Sequence, residues 1–152
     1  MALCCLESAP TRFVQKERFN IALELPLTFV RLTRRRWVES TVYPVLTMLG
    51  QALGAVVLGL DALLAAPPPE VVFDTMGFAF AYPLLAGLGR CRVLDYTHYP
   101  VISTDMLERV VVRRPAHNNS AVIANSAALS AAKAMYYRAF ARAYGWLAAG
   151  PS

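Results

Sequence analysis

Charge is scarce in this chain. Asp, Glu, Lys and Arg make up 16% of 152 residues, while apolar residues make up 57%. Such a balance is too apolar for a disordered chain and too lightly charged for a coiled coil. The length suits one domain with a real core. Cysteine is scarce too. Cys4, Cys5 and Cys91 are too few for a disulfide framework and have no metal-ligand spacing, which fits a reducing compartment and no metal. The nucleophile elbow, the P-loop, GxGxxG and HExxH are all missing, so those enzyme classes have no motif support. Ten prolines and eight glycines follow no period, which excludes collagen and simple repeats. Residues 1–10 lack the charged and apolar regions of a signal peptide, so none is expected.

The cations are unevenly placed. Arg12, Lys16, Arg18, Arg31, Arg34, Arg35 and Arg36 crowd the first quarter, and no Lys or Arg falls between Trp37 and Gly89. After Ser120 come Lys133, Arg138 and Arg142 with no acid. Basic surfaces of this kind meet phosphate, nucleic acid or anionic lipid. No aromatic-interleaved basic repeat is present, so nucleic acid is not expected as a partner. Residues 40–60 carry no charge and include Gly50 and Gly54 at GxxxG spacing, about enough for a membrane span. Thr41, Thr47 and Gln51 interrupt that run, and the buried helix of an α/β domain has the same composition. The buried helix is the expectation.

Strand and helix signals alternate. Residues 13–21 are mixed and polar, a short helix or loop. Residues 27–32 (LTFVRL) read as a strand, and Tyr43-Pro44 opens a helix that runs to Pro67-Pro68-Pro69. Residues 71–73 (VVF) form a second strand, residues 78–88 a helix, and residues 91–96 (CRVLDY) a third strand. Ser103 is a good N-cap for a helix over 103–114, and residues 115–120 make a turn. A long helix over 129–147 should bury Met135, Tyr136, Ala139, Phe140, Ala143, Trp146 and Leu147, leaving Arg138 and Arg142 outside. This order predicts an α/β fold with a partial Rossmann-like parallel sheet, buried on both faces and flanked by helices. Ligands of such sheets sit beyond the carboxyl ends of the strands, here the loops 74–77 and 97–100.

Those loops supply the candidate residues. His98 follows a strand end, where an imidazole can donate, accept or shuttle a proton; as a plain loop histidine it would only cap a turn. Asp74 and Asp95 can bind a sugar hydroxyl or act as bases, or else cap the next turn. Ser103, Thr104 and Asp105 can hydrogen-bond a polar ligand, or simply start a helix. Asn118-Asn119-Ser120 is a formal glycosylation sequon, relevant only in a secretory lumen. Residues 34–36 and the aromatic, cationic last helix suit an anionic membrane surface as well as ordinary packing.

Four segments then resemble one family. They are Arg18-Phe19-Asn20-Ile21; Tyr43-Pro44 with residues 49–54 (LGQALG); residues 74–80 (DTMGFAF); and residues 98–107 (HYPVISTDML). In that order they are similar to the N-terminal region of the eukaryotic α-1,2-mannosyltransferases of dolichol-linked oligosaccharide synthesis, retaining enzymes of the two-domain GT-B type. Val101 and Thr97 differ from the usual threonine and valine.

The resemblance implies the incomplete N-terminal half of a GT-B fold: a tail over residues 1–12 and a partial domain over 13–149. The family's glycine-rich first strand and C-terminal donor domain have no counterpart in the sequence. It implies mannosyl transfer from GDP-mannose to a dolichol-diphosphate-linked oligosaccharide, without a cofactor or obligatory metal, on the cytosolic face of the endoplasmic reticulum membrane. It places His98 against the transferring mannose or the acceptor hydroxyl, with Ser103, Asp105 and Asp74 as weaker substrate-binding positions. The chain alone is expected to be inactive. The alternative is a non-catalytic, membrane-associated interaction module.

Overall fold

The structure, a computed structural model, describes residues 29–116 and 119–150. The expected tail over residues 1–12 and residues 13–21, with the RFNI segment, therefore lie outside the described residues. So do residues 27–28 of the expected first strand, and its remainder, residues 29–32, forms no strand.

Two 3₁₀ turns, Arg35–Val38 and Ser40–Val42, lead into helix α1, Thr47–Ala65. The helix begins three residues after Pro44, because Leu46 adopts a left-handed conformation with φ +52°. Thr47 Oγ1 donates back to the Tyr43 carbonyl at 3.0 Å. Polar side chains of the helix hold the preceding segment. Gln51 Nε2 donates to the Val38 carbonyl at 2.8 Å, and Asp61 accepts from Thr33 Oγ1 and from the Arg34 amide at 3.0 Å. Gly54 lies directly beneath the Trp37 carbonyl, where a Cβ would collide with it. The helix is long and apolar enough to cross a membrane by length and composition, but one side of it is packed into the domain.

The chain then builds one parallel β–α–β unit. Strand β1 is Val71–Asp74; a 3₁₀ turn, Ala79–Ala81, leads into helix α2, Tyr82–Gly87; strand β2 is Arg92–Asp95. Pro83 sits in the first turn of α2, where its missing N–H leaves no hydrogen bond unmade. The register pairs Val71 with Arg92 and Asp74 with Asp95. Helix α3, Thr104–Val111, follows, capped by Ser103, whose Oγ accepts from the Met106 amide at 3.2 Å. A short helix α4, Ala121–Ala124, precedes the long helix α5, Ala127–Ala149, which is capped by Ser126. Asn118 of the sequon lies outside the described residues. Its neighbour Asn119 is buried and donates to the Arg114 carbonyl at 3.0 Å.

The fold is a partial Rossmann-like α/β unit, with two corrections to the sequence reading. Among the described residues the sheet is covered on one face only. Val72, Asp74 and Val93 turn inward, whereas Val71, Phe73 and Leu94 are exposed. Helix α5 is also rotated from the expected face. It buries Ser130, Ala134, Tyr137 and, as expected, Phe140, while Met135, Ala139, Ala143 and Trp146 are exposed. The reason is compositional. Alanines surround this helix, so the aromatic residues on both sides of it give no single stripe. Val110, Ala134 and Tyr137 form a buried cluster, with Met48, Met106 and Leu107 packed against it.

Candidate functional site at the strand ends

Both strands end in aspartate, and the two carboxylates are register partners at the carboxyl edge of the sheet. Asp74 organises the turn that follows it. Its Oδ1 accepts from the Met76 amide at 2.7 Å; its Oδ2 accepts from the Phe78 amide at 2.6 Å and the Tyr82 hydroxyl at 2.7 Å. This is the turn-capping use of an aspartate. Burial, then the Asp74 hydrogen bond and the charges of Asp74 and Asp95, drive the Tyr82 phenol far above its ordinary value. Asp95 Oδ2 accepts from Thr97 Oγ1 at 2.7 Å, which starts the next loop.

Beside this edge lies a hollow of about 150 Å³, lined by residues of α1, by Met76, Gly77, Phe78 and Phe80, by Val101, and by Phe140 and Tyr144 of α5. It is smaller than the roughly 300–1,000 Å³ of ordinary ligand sites. Phe80 stacks at a tilt on Phe140, centroids 5.2 Å apart, and stands 6.4 Å from Tyr144. Gly77 has φ +76°, and a Cβ there would approach Tyr144 Oη to 2.7 Å. Tyr144 Oη is buried and unpartnered. Burial pushes this phenol up, and the neighbouring Thr97 hydroxyl works against that shift.

His98 stands three residues past the end of β2, exposed, with its ring edge-on to Tyr96 at 4.7 Å between centroids. It does not line the hollow. Ser103 is occupied as the cap of α3. Asp105 pairs with Arg109 at 2.7 Å along a separate surface groove on α3. The structure thus gathers Asp74, Asp95 and the start of the His98 loop at one edge and sets Asp105 apart. Tyr82 and Tyr144 complete the edge; sequence reasoning missed both, because no spacing ties residue 77 to residue 144. Among the described residues no three His, Cys, Asp or Glu side chains converge as a metal site.

Comparison with known proteins decides the family. The family model described as ALG11 mannosyltransferase N-terminus matches residues 9–151. The chain belongs to that family. It is 50% identical over 128 residues to the mouse protein named GDP-Man:Man(3)GlcNAc(2)-PP-Dol alpha-1,2-mannosyltransferase, covering 84% of this chain and 26% of that protein. The Xenopus laevis protein of the same name is 48% identical over 130 residues, 86% of this chain and 26% of its own length. The human one is 47% identical over 128 residues, with 84% and 26% covered. The chain spans about a quarter of the length of these relatives. No solved structure matches it.

Proposed function

We propose that this chain supplies the N-terminal part of a retaining α-1,2-mannosyltransferase. Within the complete enzyme it moves mannose from GDP-mannose to a dolichol-diphosphate-linked oligosaccharide during N-glycan precursor assembly. The family match over residues 9–151 carries the reading, together with relatives whose names state that transfer. The acceptor's dolichol tail sets the reaction at a membrane surface, the cytosolic face of the endoplasmic reticulum. No nucleic acid takes part.

In the transfer an acceptor hydroxyl oxygen bonds to the anomeric carbon of mannose. The bond from that carbon to the diphosphate oxygen breaks, and GDP leaves with the electron pair. The acceptor proton must then pass to a basic oxygen or nitrogen. His98, exposed at the strand-end edge with its ring edge-on to Tyr96, is a group that can hold the acceptor hydroxyl or a mannose hydroxyl in place. Asp74 contributes indirectly, because three hydrogen bonds commit it to shaping the turn. Stabilisation of the departing diphosphate falls to cationic groups and helix N-termini of the donor-binding half.

The test is His98→Ala in a full-length enzyme carrying this segment, assayed with GDP-mannose and the dolichol-linked acceptor. Turnover should fall by about a hundredfold or more. Unchanged turnover would remove His98 from the site.

A further inference from the structure

Helix α1 carries an apolar stripe on the side turned away from the domain. At 3.6 residues per turn, Leu49, Leu53, Leu60 and Leu64 fall within about a sixth of the helix circumference. All four are exposed, Leu53 at 62% and Leu64 at 74%. Ala52, Ala55, Leu58 and Gly59, which face the core, are buried. Roughly a quarter-turn round from the stripe, Gly50, Gly54 and Asp61 hold the segment 33–43. That segment brings the half-exposed Trp37 and the exposed Arg34 and Arg36 to the flank of the stripe.

We propose that this face of α1 seats on an anionic membrane, with the helix lying along the interface rather than crossing it. Leucines enter the acyl boundary, Trp37 sits at headgroup level, and the arginines meet lipid phosphates. Charge complementarity favours lipid as the occupant. The nearby acids are already engaged, Glu39 with Arg35 at 3.7 Å and Asp61 with residues 33–34, so the rim of the stripe is basic.

A partner helix fits less well. Coiled-coil pairs carry charges beside the apolar seam, and α1 has none before Asp61. The GxxxG surface that would admit a close helix is filled, Gly50 by the Tyr43 ring and Gly54 by the Trp37 carbonyl. A spanning helix would have to shed the same contacts. The inference rests on the reading above for the presence of a membrane. Its test reads binding and not transfer, so each can fail alone.

The test uses the whole 152-residue chain with Trp146→Phe, which leaves Trp37 as the one tryptophan. Vesicles of phosphatidylcholine with about 30% phosphatidylserine, some of it brominated in the acyl chains, should bind the protein and quench Trp37. Paired substitution Leu53→Glu and Leu60→Glu should weaken binding at least tenfold. Arg34→Gln and Arg36→Gln, which leave the stripe and its packing intact, should each weaken it about fivefold. The proposal fails if Trp37 is unquenched, or if plain phosphatidylcholine binds equally well. It also fails if a Trp37→Phe chain shows Trp146 quenched in its place, or if light scattering finds a dimer that the leucine substitutions dissolve.

Discussion

Gly77 and Tyr144 share one space: a side chain on the glycine would stand 2.7 Å from the tyrosine hydroxyl oxygen. The turn after β1 can pass over α5 only because residue 77 has no Cβ and accepts φ +76°. Gly77→Ala should therefore cost about 2 kcal/mol, part from the left-handed backbone and part from overlap. Tyr144→Phe deletes a buried, unpartnered hydroxyl and should be neutral or stabilising by up to about 1 kcal/mol. In the Tyr144→Phe background Gly77→Ala should cost at least about 0.5 kcal/mol less. Urea unfolding of the four proteins measures the coupling, and equal costs in both backgrounds would assign the whole effect to the backbone.

Tyr82 predicts an alkaline limb. Its phenol is raised in the folded state, by burial first and Asp74 second, from an ordinary value of 10.0. A raised folded value means that the folded chain keeps a proton the unfolded chain releases. The stabilisation is complete below about pH 10 and is lost as pH climbs above it, at about 1.4 kcal/mol per pH unit for each retained proton. Tyr136 and Tyr144 are raised too, so Tyr82→Phe should flatten the limb without abolishing it. At pH 7 the same variant should lose about 2 kcal/mol with the Asp74 hydrogen bond. Denaturant midpoints from pH 7 to pH 11 give both results.

Ser103 and Asp105 are adjacent in sequence to the HYP loop, yet their structural roles differ. Ser103→Ala removes a helix cap and should cost about 1 kcal/mol. Asp105→Asn breaks an exposed pair with Arg109 and should change stability by less than about 0.5 kcal/mol. Thermal unfolding separates them. A transfer defect from Asp105→Asn in a full-length enzyme would then reflect substrate contact and not folding.

The parts of the fold legible in the sequence are those fixed by neighbouring residues. The run VVFD, the run CRVLDY and the Ser103 cap each specify their element locally. The helix expected over 78–88 starts only at Tyr82, because Pro83 belongs in a first turn and not in a helix interior. Burial was less legible. The two strands look apolar throughout, yet Val71, Phe73 and Leu94 face outward, because covering a second face takes elements that the runs themselves do not encode. In α5 the aromatic residues at 136, 137, 140 and 144 straddle two faces, and only packing against α3 selects Tyr137 for burial. At the site, His98 and Asp74 were visible as strand-end residues. The commitment of Asp74 to Tyr82 was not, since it depends on the turn that brings residue 82 back over the strand end.

Two glycines in long helices should respond oppositely to alanine. Gly54 sits in α1 directly under the Trp37 carbonyl, where a Cβ has no room and backbone is the obstacle. Gly54→Ala should push the 33–38 segment off the helix, breaking the Gln51 and Asp61 contacts with it, at a cost of about 2–4 kcal/mol. Gly145 lies within α5, and nothing stands within 4 Å of the place its Cβ would take, so no contact opposes the added methyl. Gly145→Ala should gain about 0.5–1 kcal/mol from the better helix former alone. Urea midpoints decide both. A mild effect at Gly54 would mean that the 3₁₀ turns are not clamped to α1, and the basic flank of the leucine stripe would lose its anchor with them.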